Sequence, residues 1–143
     1  MRILIINGPN INMLGIREKE IYGEQSYTLL LEQINKWATD YDVEIKHVQS
    51  NHEGVLIDEI QAAYGQFDAI IINPAAYTHT SIAILDALKA VSLPSVEVHI
   101  SNIREREFFR QVSYAGMACE KTISGQGLDG YRQAIQYLTE RYK

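Results

Sequence analysis

Asp68-Ala69-Ile70-Ile71-Ile72-Asn73-Pro74 decides the fold. Four apolar residues follow one another without polar alternation, which suits a strand buried on both faces, and such strands belong to parallel sheets covered by helices on each side. Pro74 lacks the N–H that a continuing ladder needs, so the strand stops there. Residues 2–7 read the same way, as a short apolar run ended by turn residues. Further strands are expected at 43–49, 95–100 and 118–123.

Helical periodicity fills the gaps. Over 26–41, Tyr27, Leu30, Leu31, Ile34, Trp37, Ala38 and Tyr41 recur at three- and four-residue intervals, with Ser26 placed to cap the start. Ser50-Asn51-His52-Glu53-Gly54 turns into a second helix that runs to Tyr64 and stops near Gly65. Over 78–91, Ile84, Leu85, Leu88 and Val91 share one face, with Thr78 or Thr80 as the cap. A short, strongly charged helix is expected over 104–114, and a last helix over 128–142 that buries Leu128, Tyr131, Ile135 and Leu138. Strands alternating with helices specify a doubly wound α/β domain of three layers, αβα, with right-handed crossovers. Five parallel strands in the flavodoxin-like order 2-1-3-4-5 are expected.

Composition excludes several classes. The chain of 143 residues, 46% hydrophobic and 22% charged, fits one globular domain spanning 1–143. A net charge of −5 argues against a nucleic-acid surface, whose footprint is a basic patch. The single cysteine, Cys119, excludes an intramolecular disulfide and reads as a small core residue. The first apolar run is too short for a secretory signal, and no run approaches a membrane span. A cytoplasmic protein without membrane partners is the expectation.

In doubly wound sheets, ligands bind beyond the carboxyl ends of the strands. Those ends present Asn7, Ser50-Asn51-His52, Asn73 through His79, His99-Ile100-Ser101 and Ser124-Gly125. The segment after the first strand, residues 8–23, exceeds the roughly 2–6 residues of an ordinary βα connection and reads as an active-site loop or lid. Strand four is unusual, since Glu97, His99 and Ser101 alternate with apolar residues. One reading is an edge strand with one wet face. The other is a histidine oriented by a carboxylate for proton transfer, because a buried carboxylate needs a partner. His47 reads as structural and His52 as a turn residue; their spacing matches no zinc pattern.

Asn7-Gly8-Pro9-Asn10 with Leu14-Gly15-x-Arg17 and Tyr22-Gly23, then Asn73-Pro74-Ala75-Ala76-Tyr77-Thr78-His79-Thr80-Ser81, then Glu97-Val98-His99-Ile100-Ser101-Asn102 with Arg106 and Arg110, resemble type II 3-dehydroquinate dehydratases. Ser50-Asn51-His52-Glu53-Gly54 and Gly125-x-Gly127 extend the resemblance over nearly the whole chain. It implies a hydro-lyase of the shikimate pathway that converts 3-dehydroquinate to 3-dehydroshikimate by anti elimination through an enol or enolate. Quinate breakdown uses the same step. No metal, organic cofactor or Schiff base is implied.

The resemblance also assigns residues. Tyr22 is the proton acceptor, and Arg17 lowers the phenol's pKa and stabilises the transition state. His99 is the proton donor, with its ring held by Glu97, and Asn12 stabilises the enolate oxygen. The substrate is held by Asn73, His79, Ile100, Ser101, Arg106 and Arg110, together with Asp86 of a neighbouring subunit. A homo-oligomer is implied, a dodecamer built from trimers. Lys19, Arg104 and Phe108 depart from the residues common in the family, and none is a catalytic group.

Two other occupants of this fold fit poorly. A phosphoacceptor domain wants acidic residues after strand one, an aspartate after strand three and a lysine after strand five; Asn7, Asn73 and Ser124 stand there. A flavin carrier wants a Ser/Thr/Gly-rich phosphate loop where this chain has Asn and Pro. A noncatalytic binder differs from the enzyme only by assay.

Overall fold

A computed structural model of the chain describes residues 1–16, 20 and 25–143. Strands β1 (Arg2–Asn7), β2 (Glu44–Gln49), β3 (Ala69–Asn73), β4 (Ser95–His99) and β5 (Lys121–Ser124) form one sheet in the order β2-β1-β3-β4-β5. Every pairing is parallel. Helices α1 (Tyr27–Asp40), α2 (Glu53–Ala62), α3 (Ile82–Val91) and α4 (Asp129–Tyr142) cover it. This is the expected doubly wound, flavodoxin-like arrangement.

Because side chains alternate across a strand, the central strands divide their apolar residues between two layers. Ile3, Ile5, Ala69, Ile71, Val96 and Val98 pack against Leu30, Ile34 and Trp37 of α1 and Tyr131, Ile135 and Leu138 of α4. Leu4, Ile6, Ile70 and Ile72 pack against Leu56 and Ile60 of α2 and Ile84, Leu88 and Val91 of α3. Burying each large aliphatic side chain contributes about 1.5–3 kcal/mol, so β1, β3 and β4 anchor the domain. Ser26 caps α1 by accepting from the Leu29 N–H at 3.1 Å.

Three local expectations are corrected. The stretch 104–114 is no helix. It forms two 3-10 turns, Ile103–Glu105 and Phe108–Arg110, joined by extended backbone at Arg106. Gln111 Nε2 draws the segment together by donating to the carbonyls of Ile103, Arg106 and Glu107 at 3.0, 3.1 and 3.3 Å. The helix expected from Thr78 begins at Ile82, because Ala75–His79 is itself a 3-10 turn, and Ser81 is the cap, accepting from the Ile84 N–H at 2.9 Å. The fifth strand starts at Lys121 rather than 118, since Ala115–Ala118 is a further 3-10 turn.

Candidate active site

Register sets the site. Asn7 of β1 lies beside Asn73 of β3, and His99 of β4 beside Ser124 of β5, so these side chains gather at the carboxyl end of the sheet. Gly8 binds the first two ends together: its N–H donates to the Asn73 carbonyl at 2.8 Å, and a Cβ there would collide with the Pro74 carbonyl. Beyond the ends lies a pocket of about 110 Å3. Its walls are Pro9, Asn10 and Ile11 after β1, then Asn73, Ala75, Ala76 and His79 around the end of β3. His99, Ile100 and Ser101 after β4, with Ile103, Arg106 and Arg110 of the following segment, complete it.

β4 is not an edge strand, which decides between the two readings of its alternation. It lies between β3 and β5, with Glu97 at 0% and His99 at 4% exposure. Glu97 pairs with Ile72 on one side and Thr122 on the other, and it shares the α2/α3 face with His99. His99 Nε2 lies 2.7 Å from Glu97 Oε1. The Ser113 hydroxyl donates to the same oxygen, and the Thr122 hydroxyl donates to Oε2 at 2.8 Å.

Burial pushes the Glu97 carboxyl up, but the hydrogen bonds and charge of His99, with those from Ser113 and Thr122, outweigh it and hold the pKa below the ordinary value. An ionised carboxylate only accepts, so His99 Nε2 carries a proton and Nδ1 is the ring nitrogen left for the pocket.

His79 is held differently. Its Nδ1 donates to the Val112 carbonyl at 2.7 Å, which makes Nε2 the acceptor of the neutral ring. Burial pushes its pKa down, and the positive charges of His99 and Arg110 add to this against the opposing effects of Val112 and Glu97. Arg110 is oriented by Nε donating to Glu107 and by its guanidinium standing 5.3 Å from the Phe109 ring centre.

Asn73 spends much of its side chain on the fold. Its Oδ1 accepts from the Ala75 N–H at 3.1 Å, and its Nδ2 donates to the Tyr131 hydroxyl at 3.0 Å, which donates onward to Asn7 Oδ1 at 2.6 Å. Ile100 and Ser101 lie past the end of β4. Their carbonyls accept from the N–H groups of Gly127 and Gly125, both at 3.1 Å.

Asn12 is not in the pocket wall. It accepts from Gln49 Nε2 at 3.2 Å, and Gln49 also donates to the Gly8 carbonyl at 3.1 Å. The intervening 3-10 turn, Ile11–Met13, has three residues per turn and separates neighbouring asparagines by direction. Asn10 lines the pocket instead, in the left-handed region with φ 69°, its N–H donating to Asn51 Oδ1 at 3.0 Å. The Asn-Gly-Pro-Asn run held that signal, because asparagine is among the few residues that enter this region readily. Sequence placed Ser113 near the end of the expected 104–114 helix and Thr122 in the fifth strand, and carried no signal that either reaches Glu97.

Asp86 is exposed on α3 and does not line the pocket of its own chain. Arg17 and Tyr22 lie outside the described residues. Among the described residues no three His, Cys, Asp or Glu side chains are grouped to hold a metal ion.

Fold and site together define a flavodoxin-like α/β domain whose carboxyl-end pocket carries a histidine–carboxylate pair suited to proton transfer. The dehydroquinase class II pattern matches residues 1–139, and the chain belongs to that family. It is 54% identical over 140 residues to the 3-dehydroquinate dehydratase of Caldicellulosiruptor bescii, covering 97% of each chain. It is 50% identical to a catabolic 3-dehydroquinase of Phaeosphaeria nodorum, covering 99% of this chain and 93% of that one. The crystal structure of type II dehydroquinase from Butyrivibrio crossotus superposes with a TM-score of 0.95 at 54% identity, over 96% of this chain and 97% of the other.

Proposed function

We propose that the chain is a 3-dehydroquinate dehydratase of the shikimate pathway that forms 3-dehydroshikimate and water. The observation that carries the reading is the Glu97–His99 pair, buried at the wall of a pocket that also holds Arg106 and Arg110. Cations beside a proton donor suit an anionic substrate that must lose hydroxide as water.

The chemistry then divides between two ends of the site. Tyr22, driven toward phenolate by Arg17, takes the proton alpha to the ketone, and its electron pair becomes the enolate. The enolate electrons re-form the ketone, expelling the hydroxyl beta to it, and the proton on His99 Nδ1 completes the water. Asn10 serves the enolate oxygen, a role supported over Asn12 by its place in the pocket wall. The N–H groups of Ile100 and Ser101 and the Ser101 hydroxyl receive the carboxylate, with Asn73 beside them. Neutral His79 accepts from a ring hydroxyl through Nε2, and Arg110 meets the same edge.

The chain acts as a single domain, with 8–23 as its active-site loop, and assembles as a dodecamer built from four trimers in which Asp86 reaches a neighbouring site. A cytoplasmic location fits this pathway, and among the described residues no helix is long and apolar enough to cross a membrane.

The test is the appearance of conjugated-enone absorbance when purified protein meets 3-dehydroquinate. Turnover that survives borohydride with substrate, and survives a chelator, supports direct elimination. No product returns the chain to a binding module. Tyr22→Phe is expected to abolish turnover while retaining ligand binding, since it removes the base and little volume.

A further inference from the structure

We infer that Ser113 and Thr122 are positioning residues for the elimination, holding the Glu97 carboxylate so that His99 presents a protonated Nδ1 to the substrate. The inference rests on the dehydratase reading above and adds residues that act through Glu97 without touching substrate.

Three donors meet at Glu97, each from a different part of the chain. His99 comes from β4 itself at 2.7 Å, Thr122 from the paired position on β5 at 2.8 Å, and Ser113 from the connection before β5. The direction of the Ser113 hydroxyl is not arbitrary. The Gly116 N–H donates to Ser113 Oγ at 2.9 Å, which occupies its lone-pair side and turns its proton toward Glu97. Gly116 also leaves the room: a Cβ there would stand 2.5 Å from Glu97 Oε2 and 2.9 Å from Ser113 Oγ. Ser113, Gly116 and Thr122, with Glu97 itself, border a second pocket of about 520 Å3, and the substrate pocket has none of these four in its wall. They therefore cannot be substrate ligands of that pocket.

A carboxylate with no exposed surface stays ionised only while donors replace the water it lost. Removing one hydroxyl raises the Glu97 pKa. Once Glu97 takes a proton it no longer accepts from Nε2 as an anion, and it no longer holds a second proton on the ring. The other groups facing Glu97 do not take over this part. β3 offers Ile72, and the 75–79 turn offers His79, whose pKa is pushed down by burial, with Arg110 beyond it. The Cys119 thiol is pushed up to about 12 by burial and by the charges of Glu97 and Glu120, and it stays neutral throughout the working range.

The experiment measures kcat and KM for 3-dehydroquinate against pH in the wild type, Ser113→Ala, Thr122→Val and Thr122→Ser, alongside 15N NMR of the His99 ring. Each variant that loses a hydroxyl is expected to lower kcat about tenfold on the acid limb of the profile, where Glu97 takes its proton, with KM within about twofold of wild type. The acid-side fall of kcat is expected to move up by about one pH unit, because the Glu97 carboxyl takes its proton at higher pH, and the 15N signals of the ring are expected to respond at that same pH. Thr122→Ser keeps the donor and should follow the wild type. Profiles that superimpose on wild type, a loss confined to KM, or an equal loss in Thr122→Ser would overturn the inference. A wild type without turnover overturns the dehydratase reading, and the ring titration still reports whether the cradle governs His99.

Discussion

The Tyr131 hydroxyl, on a side chain with 0% exposure, donates to Asn7 Oδ1 at 2.6 Å and so ties α4 to the end of β1. Since Asn73 donates to the same hydroxyl, one phenol holds two strand ends against each other. Tyr131→Phe leaves both asparagine groups without this partner in the core. The expected cost is about 2 kcal/mol of stability, read from urea unfolding, with KM rising because Asn73 borders the pocket.

Ala75 adopts φ 52°, a left-handed conformation that costs an alanine about 1–2 kcal/mol relative to a glycine. Its N–H is needed by Asn73, so the surrounding structure holds it there. Ala75→Gly removes the steric cost and gives back some chain entropy. The net expectation is a gain of about 1 kcal/mol, or a melting temperature higher by about 4 °C in calorimetry.

Gln111 gathers three carbonyls of the segment that carries Arg106 and Arg110. Gln111→Ala frees that segment without touching the pocket wall. KM for 3-dehydroquinate is expected to rise about fivefold, with kcat nearly unchanged, because positioning of binding cations is lost and the proton donor is not.

His79 is expected to titrate below the ordinary 6.5 in an NMR pH series. A histidine with a depressed folded pKa favours its neutral form. Its contribution is complete above 6.5 and is lost as pH falls from there through the folded value. His79→Gln should flatten the stability profile in that window and weaken substrate binding. An unchanged slope would separate His79 from the acid sensitivity of the fold.

Replacing His99 by alanine is expected to lower kcat by about 10²–10⁴-fold, the usual worth of a general acid, while ligand affinity changes little. Isothermal titration with a nonreacting substrate analogue, set beside the enone assay, distinguishes loss of chemistry from loss of binding.

How much of this was legible in the sequence differs by element. Consecutive apolar residues such as Ile70-Ile71-Ile72 report burial on both faces directly, so the strands, their alternation with helices and the sheet order could be read without coordinates. Spacing also placed Glu97 and His99 on one face, because alternation along a strand is a local property. Three things were nonlocal. Whether β4 was an edge depended on β5 pairing beside it. The stretch 104–114 has helical composition, yet Gln111 gathers its carbonyls and 3-10 turns result. Asn10 and Asn12 are nearly equivalent in sequence, and only the turn between them directs one to the pocket and the other to Gln49. The sequence by itself determined the layered fold and the placing of a carboxylate and a histidine on one strand face, since both follow from periodicities of a few residues. Tertiary structure alone decided which hydroxyls surround that carboxylate, because Ser113 and Thr122 reach Glu97 across 16 and 25 positions of chain, distances at which residue order carries no geometry.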